Sequence, residues 1–262
     1  MGSNPTPSAN MPETIRPMTI IVTGGTKGIG LAIAERLARP GETLVLAYLS
    51  DHAAAEAAKA RLAPTGATVF TVKADVGHLE GATELMAAVP QDGPVHLVHS
   101  AAMIYPTSLL EADPERFTQA VQVNGMSLFY LVRAAMPRLG RGSSVVFISS
   151  AGARVAQANY GAIGVGKALA ESLARYLVPE LAPLGIRINT VAPGLVATTS
   201  VASMVGGEEA AARVFDRAAR TNPSGRMSRD SDYAAMVEYL LSPAAEFIQG
   251  QVIHVNGGTY VP

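Results

Sequence analysis

Residues 18–30, MTIIVTGGTKGIG, join an apolar, β-branched run to a glycine-rich turn and to the start of a second apolar segment. The run from Met18 to Thr23 predicts a buried strand, and the spacing of apolar residues from Ile29 to Ala38 predicts a helix. A strand that passes through such a turn into a helix is the first half of a βαβ unit. This stretch therefore predicts an α/β fold built on a parallel sheet.

The same alternation of short β-branched runs and helical stretches continues to the end of the chain. Six further strands are predicted: Leu44 to Tyr48, Val69 to Lys73, Val95 to His99, Ser144 to Ser149, Ile186 to Ala192 and Gln251 to Val255. Helices are predicted at Ala53 to Leu62, once or twice within Pro114 to Leu139, at Val165 to Leu181 and at Ala234 to Leu241. We predict a Rossmann-type, doubly wound sheet of seven parallel strands with helices on both faces. Residues 18–262 contain no repeat or linker and form one predicted domain.

Composition narrows the classes of partner. The chain has 262 residues, and its net charge of −1 argues against a nucleic-acid partner. It has no cysteine, which excludes disulfides and thiolate metal sites, and no other metal site is predicted. No apolar run reaches the ~20 residues that span a bilayer, so no membrane partner is expected. Residues 1–17 lack an apolar core segment and are predicted to be a flexible leader, which leaves a cytoplasmic location as the default.

The glycine-rich turn is a candidate nucleotide site. Glycines at such a turn let the backbone approach a pyrophosphate, whose charge meets the free N–H groups of the following helix. An ordinary strand-to-helix turn is the alternative interpretation of a glycine triplet alone. The predicted cofactor contacts in this turn are Gly24, Thr26, Lys27, Gly28, Ile29 and Gly30.

Two later anchors give this turn a context. Ser150 follows the fifth predicted strand, and Lys167 lies near the start of a long helical pattern. With the glycine turn, they make the chain resemble the short-chain dehydrogenase/reductase family from Met18 to Tyr260. That family places a catalytic tyrosine thirteen residues after the serine and four before the lysine. Here that position holds Ile163, an aliphatic residue that cannot donate a proton.

The missing tyrosine leaves the proton source open among three alternatives. The preferred one is the substrate itself, if a phenol or enol lies beside its carbonyl. The second is Tyr160, three residues before the gap, although in that register its lysine partner would fall on Gly164. The third is water held by Ser150 and by Asn124, which the resemblance places in a water relay. General acid catalysis is typically worth about 10²–10⁴-fold, so its loss slows a reductase without abolishing turnover.

The resemblance implies further cofactor contacts. Lys167 would bond the nicotinamide ribose, Asp75 and Val76 would lie against the adenine, and His99-Ser100-Ala101-Ala102 replaces a family Asn-Asn-Ala-Gly that lies against the adenosine and ribose. The nicotinamide would be held by Pro193, Gly194, Val196 and Thr198. An acidic residue at the end of the second strand would favour NADH. Tyr48 and Ser50 stand there, and Lys27 can meet a phosphate, so the sequence predicts NADPH/NADP+.

The segment 199–226 matches the family's variable substrate lid. We expect Met204 of this lid, with Ser150, Ile163 and Tyr160, to contact a small-molecule, hydrophobic ketone. In its composition and its missing tyrosine the chain resembles ketoreductases of aromatic, angucyclinone-like polyketides, which implies a bulky substrate; a silent NADP(H)-binding sensor is the alternative. Family members often pair through helices near 115–139 and 165–181, so a homo-oligomer is a further expectation.

Overall fold

The computed structural model describes residues 19–90 and 95–262, so the predicted leader and Met18 lie outside the described residues. The strands are β1 (Thr19–Thr23), β2 (Thr43–Tyr48), β3 (Thr68–Lys73), β4 (Val95–His99), β5 (Ser144–Ile148), β6 (Arg187–Pro193) and β7 (Val252–Val255). They form one sheet in the order β3-β2-β1-β4-β5-β6-β7, and every pair is parallel. The predicted seven-stranded, doubly wound sheet is confirmed.

The helices are α1 (Gly28–Leu37), α2 (His52–Leu62), α3 (Leu79–Ala87), α4 (Pro114–Val121), α5 (Ser127–Ala135), α6 (Gly161–Leu181), α7 (Thr199–Val205), α8 (Glu208–Thr221) and α9 (Asp230–Leu241). Helix α3 was not predicted. A π-helical turn, Gln122–Met126, separates α4 from α5. The predicted start of α6 at Val165 is wrong, since the helix begins four residues earlier, within a glycine-rich stretch of low helix propensity.

Each strand presents alternate side chains to two cores. On β1, Ile20 and Val22 pack with α1, α2 and α9, whereas Ile21 packs with α3, α5 and α6 on the opposite face. Burying a large aliphatic side chain contributes about 1.5–3 kcal/mol each, so both faces of the sheet stabilise the fold. No helix in the described ranges is both long and apolar enough to cross a bilayer.

The strand order reverses between β1 and β4, which fixes where a ligand is expected. In doubly wound sheets, ligands bind in the crevice beyond the carboxyl ends of the strands at this reversal. The glycine turn follows β1, the segment from Ser100 follows β4, and Ser150 follows β5. The topology therefore brings the three predicted parts of the site to one edge of the sheet.

Strand β4 carries two buried histidines. His96 is 2% exposed and accepts a hydrogen bond from the Ser144 N–H at 3.1 Å, while His99 is fully buried. Burial, and then the nearby charge of Arg187, lowers the pKa of His96 to about 4. Burial, and then the charge of Lys167, lowers the pKa of His99 to about 3. Both rings are therefore neutral in the folded protein at and well below neutral pH.

We expect the free energy of unfolding to fall as the pH falls from about 7 to about 5. The unfolded chain protonates these histidines below pH ~6.5 while the folded chain does not, so acid favours the unfolded state. Each histidine should cost about 2 kcal/mol over this range. Urea unfolding at both pH values measures the loss, and His99→Gln should remove about half of it. An unchanged pH dependence in that variant would contradict the assignment.

Candidate active site

The glycine turn forms a tight cradle at the start of α1. A Cβ atom on Gly30 would lie 2.2 Å from the Gly24 carbonyl oxygen, so only glycine fits there. Lys27 occupies the N-cap position of α1 without a side-chain cap. The first-turn N–H groups therefore have no capping side chain, and an anionic group fits at this end of the helix.

Lys27 and Asp51 form an ion pair at the outer end of this cradle. The Lys27 ammonium donates to Asp51 Oδ2 at 2.8 Å, while Asp51 Oδ1 accepts from the Ala54 N–H and caps α2. The hydrogen bond from Lys27 holds the pKa of Asp51 below its usual value. Beside them, Tyr48 bonds His52 at 3.0 Å and Ser50 is exposed. The cation predicted to meet a phosphate is present, and it already has a carboxylate partner.

Asp75 and Val76, predicted to lie against adenine, follow β3. Asp75 Oδ1 accepts from the Gly77 N–H at 3.0 Å, and Oδ2 lies 3.1 Å from His78 Nδ1. Val76 is buried. These contacts fix the Asp75 carboxylate within its own turn, and the adenine contact stays a prediction.

The segment after β4 is held against the glycine turn. The Ser100 N–H donates to the Thr23 carbonyl oxygen at 3.2 Å, and the Ala101 N–H donates to Thr23 Oγ1 at 3.3 Å. Ala102, the next residue, is exposed. The predicted ribose wall and phosphate cradle are therefore adjacent in the structure.

Ser150 and Tyr160 meet at the carboxyl end of β5. Ser150 Oγ accepts from the Gly152 N–H at 3.2 Å. Burial raises the pKa of the Tyr160 phenol, and the nearby Ser150 side chain opposes that rise. Tyr160 immediately precedes α6, after Asn159, which adopts a left-handed φ of +58°. Asparagine tolerates this conformation better than most residues, and the turn directs the chain into the helix.

Lys167 lies on α6, about two turns after Tyr160, in a dry environment. It is 5% exposed, its ammonium donates to the Ile148 carbonyl oxygen at 2.7 Å, and it lies 4.6 Å from the centre of the Phe147 ring. Burial lowers its pKa to about 8, and the nearby Glu171 carboxylate opposes the shift. Lys167 is therefore a buried cation close to its titration point.

Asn124 lies in the π-helical turn and is fully buried. Its Oδ1 accepts from the Met103 N–H at 3.0 Å, and its Nδ2 donates to the Met103 carbonyl oxygen at 2.9 Å. Both polar atoms of the side chain are thus committed to the segment after β4. The predicted water relay through Asn124 stays a prediction, and the observed contact is a positioning one.

A cavity of about 600 Å³ opens beside Tyr160. It lies between residues 107–109, the segment 152–160 and the first turns of α6. Tyr160 lines it, whereas Ile163 is 2% exposed and does not. Met204, on α7, is half-buried and also does not line it. Of the two candidate positions, Tyr160 therefore opens onto this cavity and Ile163 does not.

The predicted nicotinamide segment follows β6. Gly194 donates its N–H to the Val255 carbonyl oxygen at 2.9 Å, and Val196 is buried. Thr198 precedes α7, and its methyl group would lie 3.6 Å from a Cβ on Gly28. The segment that starts at Pro193 therefore returns to the glycine turn, as a shared cofactor site requires.

Sequence reasoning missed a buried ion pair beside the serine. Glu171, 2% exposed, accepts from Ser149 Oγ and from Arg154 Nε, both at 2.7 Å. These bonds tie the segment around Ser150 to α6. The sequence feature that could have revealed this ion pair is the position of Glu171, which lies one helical turn after Lys167 and therefore on the same face of the helix.

The sequence and the fold of this chain are similar to those of known reductases. A family model described as enoyl-(acyl carrier protein) reductase matches residues 24–260. A short-chain type dehydrogenase/reductase of Picea abies is 35% identical over 251 residues, covering 91% of this chain and 90% of the relative. The NADPH-dependent aldehyde reductase 2, chloroplastic, of Arabidopsis thaliana is 32% identical over 255 residues, covering 91% and 92%. A variant of actinorhodin polyketide ketoreductase, solved with NADPH, superposes with a TM-score of 0.82 at 28% identity, covering 93% and 98%.

Gly30→Ala tests the cradle. The added Cβ would meet backbone at 2.2 Å, so the loop must shift. We expect a destabilisation of about 1–3 kcal/mol and a loss of dinucleotide affinity above about tenfold. Thermal unfolding and nicotinamide fluorescence measure the two effects. Gly140→Ala is the matched control, because its Cβ would meet nothing within 4 Å. Unchanged affinity in the Gly30 variant would refute the cradle.

Proposed function

This chain belongs to the short-chain dehydrogenase/reductase family, and from that premise we propose that it is an NADPH-dependent reductase of bulky, aromatic ketones. The observation that carries the proposal is that Tyr160 lines the cavity, with Ser150 near its phenol and the buried Lys167 ammonium about two turns further along α6. A phenol, a hydroxyl and a buried cation are thus supplied by the stretch of chain that follows β5.

The residues at the reversal point fit a nicotinamide dinucleotide. The uncapped start of α1 suits the pyrophosphate, and Lys27 supplies a cation for a 2′-phosphate. Lys167 is available to a ribose hydroxyl, and the segment from Pro193 to Thr198 closes over the glycine turn. When bound, NADPH would supply the hydride. The relatives named for NADPH support this choice over NADH.

Tyr160 is the proposed proton donor. Burial raises the pKa of its phenol, so the group keeps its proton at neutral pH. In this proposal the Ser150 hydroxyl donates a hydrogen bond to the carbonyl oxygen of the substrate, while Tyr160 gives that oxygen its proton as negative charge develops there. The proton leaves an O–H bond of Tyr160 and forms one on the product alcohol.

This proposal reorders the proton sources inferred from the sequence. On the sequence alone, substrate assistance is preferred, because the aliphatic Ile163 would offer an apolar wall to a flat ligand. The burial of Ile163 and the exposure of Tyr160 to the cavity favour Tyr160 instead. The resemblance to the angucyclinone ketoreductase of simocyclinone biosynthesis rests on the missing tyrosine at 163, so it weakens together with that interpretation.

A large, apolar ketone is the proposed substrate. The lining of the cavity includes Leu109, Val155 and Val165, and its volume accommodates a multi-ring ligand. The neighbouring fold of actinorhodin polyketide ketoreductase supports an aromatic polyketide as the class. A panel of bicyclic and polycyclic aromatic ketones, assayed by NADPH oxidation, tests it. Tight NADPH binding without turnover on any member would favour the silent sensor.

Tyr160→Phe should lower kcat by about 10²–10⁴-fold, because it removes the acid and keeps the ring. The dissociation constant of NADPH should stay unchanged, which separates the chemical step from binding. Tyr176→Phe, an exposed tyrosine on α6, is the matched control and should retain full activity. The readout is steady-state NADPH oxidation with an aromatic ketone.

A second pair of measurements distinguishes the substrate-assisted route. If Tyr160→Phe changes kcat by less than about threefold, and blocking the substrate's own phenol abolishes turnover, the proton comes from the substrate. Ile163→Tyr should not accelerate the reaction, since residue 163 points into the core. A strong gain in that variant would restore the conventional register.

Lys27→Met should weaken NADPH binding about tenfold and change NADH binding by less than about threefold. The variant removes a charge-assisted contact that only the 2′-phosphate can use. Lys59→Met, at an exposed position on α2, is the control for the loss of one surface charge. Titration of nicotinamide fluorescence gives both constants. Equal losses of affinity for NADPH and NADH would show that Lys27 does not contact the 2′-phosphate.

A further inference from the structure

His99 lies at the centre of a buried hydrogen-bond chain that the proposed mechanism does not use. Its Nδ1 is 2.7 Å from Thr23 Oγ1, and its Nε2 is 2.6 Å from Ser127 Oγ. All three residues are fully buried. A histidine so placed has no water to satisfy its ring nitrogens, and these two partners must do so.

The directions of these bonds follow from proton counting. Ser127 Oγ donates its single proton to the Val123 carbonyl oxygen at 2.7 Å, so it can only accept from His99. The ring therefore carries its proton on Nε2, and Nδ1 accepts from the Thr23 hydroxyl. The Thr23 oxygen accepts in turn from the Ala101 N–H at 3.3 Å. Every bond in the chain points the same way, and one neutral tautomer satisfies all of them.

This chain joins the two halves of the site. Thr23 ends β1 and leads into the glycine turn, while Val123 lies in the π-helical turn directly before Asn124. The His99 ring also lies 5.5 Å from the Phe147 ring, whose other neighbour is the Lys167 ammonium. A ring held in one tautomer at this point fixes three elements relative to one another.

We propose that His99 is a positioning residue, which as the Nε2–H tautomer holds the glycine turn through Thr23 and the Asn124 turn through Ser127. The proposal rests on the proposed reductase function and assigns a different property to each hydrogen bond of the ring. The bond between Nδ1 and Thr23, the Thr23 arm, supports cofactor binding. The bond between Nε2 and Ser127, the Ser127 arm, supports the chemical step.

The tautomer is tested in the wild-type protein by ¹⁵N NMR with labelled histidine. We expect the His99 ring to carry its proton on Nε2 and none on Nδ1, unchanged on adding NADPH. His99→Gln should lose that signal and identify it. A proton on Nδ1, or on both nitrogens, would overturn the proposal. This measurement needs no turnover, so it remains decisive even if the reductase proposal fails.

The two arms are separated by two variants. His99→Gln keeps a donor toward Ser127 and loses the acceptor for Thr23, so NADPH affinity should fall about tenfold while kcat changes less than about threefold. His99→Asn keeps the acceptor and loses the donor, so kcat should fall about tenfold with NADPH affinity retained. Thr23→Val and Ser127→Ala remove the hydroxyl partners of the same two bonds. Thr23→Val should therefore lower mainly the NADPH affinity, and Ser127→Ala should lower mainly kcat. Parallel loss of both properties in all four variants would show only a packing role and refute the assignment.

Discussion

The approach of α6 to the π-helical turn is the contact on which the site depends. A Cβ on Gly166 would lie 2.6 Å from Asn124 Cβ, and one on Gly125 would lie 2.7 Å from the Gly166 carbonyl oxygen. Two backbones therefore touch where most helix pairs are held apart by side chains, at interaxial distances of about 8–10 Å. Lys167 follows Gly166, and Asn124 precedes Gly125, so this contact sets the position of both. It explains why a glycine-rich, weakly helical stretch begins the longest helix of the chain.

Burial then gives the positioned groups their chemistry. The Lys167 ammonium has one carbonyl partner and an aromatic face, and burial brings its pKa down to about 8. In a low-dielectric setting its charge is screened much less than at the surface. The Glu171 carboxylate accepts hydrogen bonds from Ser149 and Arg154, and its charge partly offsets the lowering of the Lys167 pKa. One buried carboxylate therefore ties the loop around Ser150 to α6 and acts on the cation of the same helix.

The architecture could be predicted from the sequence because its signals are local. The apolar run before Gly24 and the spacing of the glycines after it predict the first strand and helix. The later alternation of β-branched runs with helical stretches predicts the remaining units. The proton donor of the active site could not be predicted in this way, because it depends on where α6 begins. Counting from Ser150 and Lys167 gives Ile163 as the tyrosine position, which stays a prediction, while Tyr160 lies directly before α6 and lines the cavity. The Lys27–Asp51 pair and the His99 chain join residues far apart in sequence, and no periodicity reveals them.

The predicted chemical groups and the predicted substrate lid lie on parts of the fold with different packing. Ser150 follows β5, Tyr160 directly precedes α6 and Lys167 lies on α6; β5 contributes to both cores and α6 to one of them. Of the described residues of α7 and α8, Ala211 alone is buried, and Gly206 and Gly207 join the two helices with positive φ angles. Exposed positions usually change stability by less than about 0.5 kcal/mol when substituted, whereas a side chain at Gly166 would have to displace backbone. If the proposed function is right, the predicted lid can therefore change to suit another ketone while Tyr160 and Lys167 keep their geometry.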